Sequence, residues 1–206
     1  MSIVYLDIET IPGPNRPTID DLKVPGNMKK AETIARWKEE QGAAMVEEMY
    51  HKQSLDSMQG QIFCIGCAVN DDPPQVFDSL DELVVFFDVN QPSAFVGHNI
   101  QRFDAKWLYR HLVQAGFRDV AGQFNFHPYN GDIHDTMLMW GCGDRQDHVS
   151  LDDLAQFLGV GRKTPGIDGS MVWGLVQAGE GQKVRDYCAD DVELTRAVYK
   201  RLAWGL

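Results

Sequence analysis

The chain alternates between short apolar runs and longer segments in which apolar residues recur at helical spacing. The run 3–11, Ile-Val-Tyr-Leu-Asp-Ile-Glu-Thr-Ile, opens with apolar, partly β-branched residues, which predicts a buried strand. Further strands are predicted at 61–69, 75–77, 93–97 and from 133 onward, with helical segments among them. Alternating strands and helices indicate an α/β fold.

The segment after the first strand departs from this pattern. Turn-forming residues at 12–17 precede one or two predicted helices within 30–53. Because this excursion, residues 13–60, separates two predicted strands, we expect a helical insertion in one domain that spans residues 1–206. A lid, a wall of a substrate channel and simple packing remain open as its role.

Two carboxylates interrupt the first strand near its end. Side chains two positions apart on a strand point to the same side, so Asp7 and Glu9 should lie next to each other. Like charges in that arrangement repel, and a bound cation is one way to stabilise them. The alternative is that Asp7 begins a turn and Glu9 is solvated.

Acidic residues at two other places extend this pattern. Asp104 stands in the first turn of a predicted helix, where the helix dipole favours a carboxylate. In the last predicted helix, Tyr187 and Asp191 are four residues apart and therefore share a face. Four carboxylates from three segments could converge on a pair of Mg²⁺ ions, which prefer oxygen ligands and can serve phosphoryl displacement.

Composition restricts the function further. The chain of 206 residues has a net charge of −11, which argues against binding of nucleic acid through a broad basic surface but allows a metal site built from carboxylates. Cys64 and Cys67 form a C-x-x-C within an apolar run, without a second such pair, and are interpreted as buried free thiols. Asp135 is expected to cap the helix that follows it.

Localisation is also inferred from the pattern of apolar residues. No apolar run approaches the length of about 18 residues that a membrane span needs, and no signal peptide is recognisable. A cytoplasmic protein is therefore expected.

Three ordered motifs resemble those of a known family. Asp7-x-Glu9, Asn99-x-x-x-Phe103-Asp104 and Tyr187-x-x-x-Asp191 are similar to the three motifs of the DEDD-superfamily 3′–5′ exonucleases, in the tyrosine (DEDDy) subgroup. The histidine subgroup would have a histidine five residues before the last aspartate, where this chain has Asp186. The sequences around these motifs, together with 150–155 and 168–173, most resemble the proofreading exonuclease domain of B-family DNA polymerases.

The resemblance implies a ribonuclease-H-like fold, a five-stranded mixed sheet flanked by helices. It implies two Mg²⁺ or Mn²⁺ ions, the first held by Asp7, Glu9 and Asp191 and the second by Asp7, with Asp104 assisting through water. Tyr187 would orient the attacking water. The residues that would contact the terminal nucleotide are Thr10, Ile11, Asn99 and Phe103.

The implied activity is release of nucleoside 5′-monophosphates from the 3′ end of single-stranded or frayed DNA. Replication or recombination proteins are the protein partners considered, and a stand-alone exonuclease is expected rather than a domain of a polymerase. Two alternatives stay open: a 3′–5′ exoribonuclease, and a metal-binding adaptor that does not cleave. Seven basic residues are expected either to line a channel for the nucleic-acid strand or, for most of them, to lie on solvated surface: Lys29, Lys30, Arg36, Lys38, Lys52, Arg162 and Lys163.

Overall fold

The structure is a computed structural model that describes residues 2–127 and 131–203. Within these residues the strands are β1 (Ile3–Ile11), β2 (Gln61–Val69), β3 (Gln75–Phe77), β4 (Ala94–Gly97) and β5 (Ile133–Asp135). The helices are α1 (Ala31–Lys52), α2 (Leu80–Asn90), α3 (Asp104–Ala115), α4 (Arg118–Ala121), α5 (Thr136–Trp140), α6 (Leu151–Leu158), α7 (Val172–Gln177) and α8 (Gly181–Leu202).

The five strands form one mixed sheet in the order β3-β2-β1-β4-β5. Strand β4 pairs in parallel with both β1 and β5, whereas β3 is antiparallel to β2. The carboxyl ends of β1, β4 and β5 therefore meet at the same edge of the sheet. A five-stranded mixed sheet flanked by helices confirms the predicted ribonuclease-H-like α/β fold.

Alternation along β1 separates two apolar layers. Val4, Leu6 and Ile8 belong to a large cluster that also includes buried residues of α2 and α3. Tyr5 points to the other face, where it packs with Val192 and Tyr199 of α8. Because side chains alternate along a strand, Asp7 and Glu9 share the face of Tyr5, which is the face that α8 covers.

A close approach of α8 to the sheet depends on one glycine of β2. A Cβ atom built on Gly66 would lie 2.9 Å from both Cys188 Sγ and Val192 Cγ2. A larger residue at this position would therefore push α8 away from the strands. The position of Gly66 sets the height at which α8 presents its polar residues above the sheet edge.

The chain divides into two compact units, residues 1–9 with 62–206 and residues 10–61. The second unit contains α1, and its apolar cluster is built around Leu22, Trp37 and Val46. Its bounds are close to those of the predicted excursion, and one long helix stands where one or two were expected. The interpretation of the whole chain as one exonuclease domain with an insertion stays a prediction.

Two local predictions are confirmed and one element was not foreseen. Cys64 and Cys67 are buried free thiols. The Asp135 carboxylate caps α5 by accepting the N–H groups of Met137 and Leu138. The short helix α4 lies between α3 and β5, where the sequence predicted no separate element.

No helix in the described part of the chain has both the length and the apolar composition required to cross a membrane.

Candidate metal centre

Three carboxylates from the two ends of the chain meet beside β1. Asp7 and Glu9 come from β1 and Asp191 from α8, and each contributes an oxygen that lies within 4.8 Å of the others. Strand alternation places the first two on the α8 face, and helical spacing turns Asp191 toward them. The predicted convergence of Asp7, Glu9 and Asp191 is therefore present in the structure.

Asp104 lies near these three carboxylates but is not among those whose oxygens lie within 4.8 Å of one another. It begins α3, directly after the loop that leaves β4, and only 3% of it is exposed. Its Oδ1 accepts the N–H of Ile8 at 3.0 Å. Ile8 lies between Asp7 and Glu9 in the sequence, so this hydrogen bond fixes the Asp104 carboxylate to the same part of β1. The parallel pairing of β1 with β4 explains this proximity.

The loop that carries Asp104 is itself held by a buried carboxylate. Asp135 accepts the backbone N–H of Asn99 at 2.9 Å and that of Gln101 at 3.2 Å. The same side chain caps α5, as described above. Asp135 therefore connects the β4–α3 loop to β5. The sequence predicted that Asp135 caps α5 but not that it holds this loop.

Burial and mutual repulsion raise the pKa values of these carboxyl groups. Burial raises the pKa of Asp7 well above its ordinary value, and the charges of Asp104, Glu9 and Asp191 raise it further. Burial, followed by the charge of Asp191, raises the pKa of Glu9 from 4.5 to about 8. Without a cation between them, these groups favour the neutral form near neutral pH.

The same two effects act on the other two acids of the group. Burial raises the pKa of Asp104 from 3.8 to about 7, although backbone hydrogen bonds oppose the shift. Burial also raises the pKa of Asp191, and the ammonium group of Lys163 opposes this shift.

Lys163 is the residue of the centre that sequence reasoning did not identify. Its Nζ donates to Asp191 Oδ2 at 2.5 Å and to the Tyr187 hydroxyl at 2.7 Å. Of the seven basic residues considered for a strand channel or solvated surface, Lys163 contacts the centre, whereas Lys29, Lys30, Arg36, Lys52 and Arg162 are exposed. Burial alone would lower the pKa of Lys163, but its contacts with Asp191 and Tyr187 raise it.

Tyr187 lies one turn before Asp191 on the same face of α8, as predicted. It is buried, and its hydroxyl reaches the centre through Lys163. Burial, followed by the charge of Asp191, raises the pKa of Tyr187, so the hydroxyl keeps its proton at neutral pH.

The residues predicted to contact a nucleotide are placed as follows. Asn99 has a left-handed backbone conformation with φ of 60°, and its buried side-chain oxygen has no hydrogen-bond partner within the described residues. Phe103 is half-buried, immediately precedes Asp104 and lies 5.7 Å from Trp107 between ring centroids. Thr10 and Ile11 belong to the second unit, where the Thr10 hydroxyl donates to the Ser54 carbonyl oxygen.

Two buried oxygen atoms test whether a cation fits this centre. Asp7 Oδ2 and Asp191 Oδ1 are shielded from solvent and lack a hydrogen-bond partner among residues 2–127 and 131–203. Unpaired buried carboxylate oxygens are costly, and a divalent cation would satisfy both. The donor set consists of carboxylate oxygens alone, which suits Mg²⁺ or Mn²⁺ rather than a softer metal. The residues therefore fit the implied metal.

Comparisons with known proteins identify a family for the chain and a structure of similar fold. The model of a family described as predicted 3′–5′ exonucleases related to the exonuclease domain of PolB matches residues 85–204, more than half of the chain. The family B DNA polymerase from the hyperthermophilic archaeon Pyrobaculum calidifontis has a similar fold, with a TM-score of 0.63 and 17% identity. That match covers 98% of this chain and 24% of the polymerase. No curated protein matches the chain.

Proposed function

Because the chain belongs to the family of predicted 3′–5′ exonucleases related to the exonuclease domain of PolB, we propose that it removes nucleotides from the 3′ end of DNA in a metal-dependent reaction. The observation that carries the proposal is the convergence of Asp7, Glu9 and Asp191, whose oxygens lie within 4.8 Å of one another. The substrate is a single-stranded or frayed 3′ end, and each turnover releases a nucleoside 5′-monophosphate.

Asp7, Glu9 and Asp191 would hold one Mg²⁺ or Mn²⁺ ion, and Asp7 would share a second with Asp104 through water. Such ions, when bound, lower the pKa of a water molecule and stabilise the charge on the attacking and leaving oxygens. In the hydrolysis, water adds to the 3′-terminal phosphorus and the O3′ atom of the preceding nucleotide leaves.

The protein groups around the carboxylates have distinct tasks in this reaction. Tyr187 keeps its hydroxyl proton and, with its oxygen fixed by Lys163 at 2.7 Å, can orient the attacking water by a hydrogen bond. Lys163 adds a positive charge next to the position of the phosphate. Asp104 holds the backbone of Ile8 and with it the spacing of the two β1 carboxylates.

Two residues of the β4–α3 loop are proposed to contact the terminal nucleotide. The unpaired side-chain oxygen of Asn99 can accept a hydrogen bond from a sugar hydroxyl or a base. The half-buried ring of Phe103 offers an apolar surface for stacking, a contact typical of single-strand recognition. Thr10 and Ile11, the other two residues that the resemblance implies, belong to the second unit.

A nuclease assay with matched variants tests the proposal. We expect purified protein to release mononucleotides stepwise from single-stranded DNA carrying labels at different positions, in the presence of Mg²⁺ or Mn²⁺ but not of a chelator. Asp7→Ala should abolish this activity, whereas Asp186→Ala, which removes an exposed acid from α8, should retain it. Wild-type protein that releases no nucleotide under these conditions would refute the proposal.

Parallel digestion of RNA of the same sequence determines the sugar preference. Faster release from RNA than from DNA would change the substrate to that of a 3′–5′ exoribonuclease while leaving the metal centre intact.

A further inference from the structure

A groove outside the metal centre lies between the edge strand β3 and helix α2. It has a volume of about 650 Å³, and its apolar wall includes Phe77, Val85, Phe86 and Val89. Val85 and Val89 are 63% and 76% exposed and stand one helical turn apart. Single exposed valines are ordinary on a protein surface, but two valines that continue into the side of a groove form a contiguous apolar site.

The rim of this groove is acidic. Asp81 and Glu82 line it, and Asp88 is exposed on the same helix. No ion pair to any of these three acids forms among the residues that the structure describes. From residue 53 to residue 101 the sequence contains seven acidic residues and no lysine or arginine. The groove therefore combines an apolar floor with uncompensated negative charge.

The strand beside the groove ends the sheet. Strand β3 pairs with β2 on one side and is the last strand in the order β3-β2-β1-β4-β5. Gln75 and Phe77 line the groove, and these alternate residues of β3 point to the same side. An extended segment added along the outer edge of β3 would place its own alternate side chains over the groove.

From these features we propose that the β3–α2 groove binds an extended segment of a partner protein that carries apolar and basic residues on the same face. The backbone of the segment pairs with β3. Of the alternate side chains that point toward α2, the central apolar ones contact Val85 and Val89, and the basic ones at either end face Asp81, Glu82 and Asp88.

Charge decides between this occupant and two others. A second copy of the chain would bring the same acidic rim to the contact, and like charges at an interface are unfavourable. Nucleic acid would bring phosphates toward the same carboxylates. A basic segment alone converts the uncompensated charge into attraction, and its apolar residues bury the exposed valines.

Titration of the methyl resonances of Val85 and Val89 with short blocked peptides tests the proposal. The probe is Lys-Ser-Val-Ser-Val-Ser-Lys, which in an extended conformation has two valines and two lysines on one face. The control of equal charge is Lys-Ser-Ser-Ser-Ser-Ser-Lys. We expect the first peptide to shift both valine resonances in a saturable way and to bind at least about tenfold more tightly than the second, since it buries apolar side chains.

Protein variants separate groove binding from general attraction to an acidic protein. In the variants, binding is followed by the backbone amide resonances of α2. The double variant Val85→Ser/Val89→Ser should lose about tenfold in affinity for the valine peptide, while Phe157→Ser, which alters another exposed apolar residue, should bind like wild type. Asp81→Asn/Asp88→Asn should weaken both peptides. Equal affinity of the two peptides, unchanged binding by the double valine variant, or shifts of the same methyls on dilution or with single-stranded DNA would overturn the proposal.

Discussion

Replacement of Asp104 by asparagine should stabilise the metal-free protein and at the same time remove its activity. The carboxyl group is buried, with 3% exposure, and burial raises its pKa from 3.8 to about 7. The folded state therefore binds the proton more tightly than the unfolded state does. The stability contributed by this group is complete at low pH and is lost as the pH rises from 3.8 through about 7.

The size of the effect follows from the shift. Each pKa unit corresponds to about 1.4 kcal/mol, so ionisation of Asp104 in the fold costs about 4 kcal/mol above pH 7. Asparagine carries no charge and keeps the oxygen that accepts the Ile8 N–H. The gain in unfolding free energy should therefore grow by about 3 kcal/mol between about pH 5 and about pH 8.5.

Urea denaturation in the presence of a chelator, at both pH values, measures this gain. Asp135→Asn is the matched control because Asp135 is equally buried, at 2%, but its oxygens accept backbone N–H groups from both the β4–α3 loop and α5. An amide NH₂ group at that position would face an N–H donor, so we expect a loss of about 1–3 kcal/mol at both pH values.

A stability change in Asp104→Asn that is independent of pH, or a loss at high pH similar to that of Asp135→Asn, would refute the reasoning. It would mean that Asp104 acts as a structural hydrogen-bond acceptor and that its ionisation does not destabilise the folded protein.

Three further variants test the neighbours of the carboxylates. Lys163→Met leaves Asp191 without its cation, so the melting temperature in chelator should fall by an amount equivalent to about 1–3 kcal/mol. Addition of Mn²⁺ should then restore more stability to the variant than to wild type. An unchanged melting temperature would contradict the buried ion pair. Tyr187→Phe should lower kcat about 100-fold, because the hydroxyl that orients the water is lost. The circular dichroism spectrum and the affinity for Mn²⁺ should stay close to those of wild type. Full activity would exclude that role for the hydroxyl. Gly66→Ala should lower the unfolding free energy in urea by about 1–3 kcal/mol and also lower kcat, because the added Cβ displaces Cys188 and the rest of α8. Full activity in a destabilised protein would show that the geometry of the metal centre does not depend on the distance of α8 from the sheet.

Those parts of the centre that depend on local periodicity could be predicted from the sequence. Strand alternation puts Asp7 and Glu9 on one face, and helical spacing puts Tyr187 and Asp191 on one face, whatever the rest of the chain does. The order of strands β1 and β4 in the sheet then brings Asp104 to the same edge. The first two steps require no knowledge of a loop conformation, whereas the place of Asp104 also depends on the β4–α3 loop that Asp135 holds.

Lys163 could not be predicted in the same way, for a physical reason. It lies in a loop between α6 and α7, and its partner Asp191 is 28 residues further along the chain. A loop has no repeating side-chain direction, so neither its path nor the place of a lysine on it follows from spacing. An uncompensated group of buried carboxylates does predict that a cation is needed, but not which one supplies the charge.

The structure of β1 explains how the fold tolerates this group of acids without a metal. On one face Val4, Leu6 and Ile8 are almost fully buried in the largest apolar cluster, and burial of each such side chain contributes about 1.5–3 kcal/mol. Together they contribute about 5–9 kcal/mol, compared with a cost of about 4 kcal/mol from ionised Asp104 alone. The apolar face therefore holds the strand in place, while the other face keeps carboxylates close together. Because burial also raises the pKa values of Asp7 and Glu9, each further ionisation adds to this cost, and we expect the metal-free protein to lose stability as the pH rises toward 8.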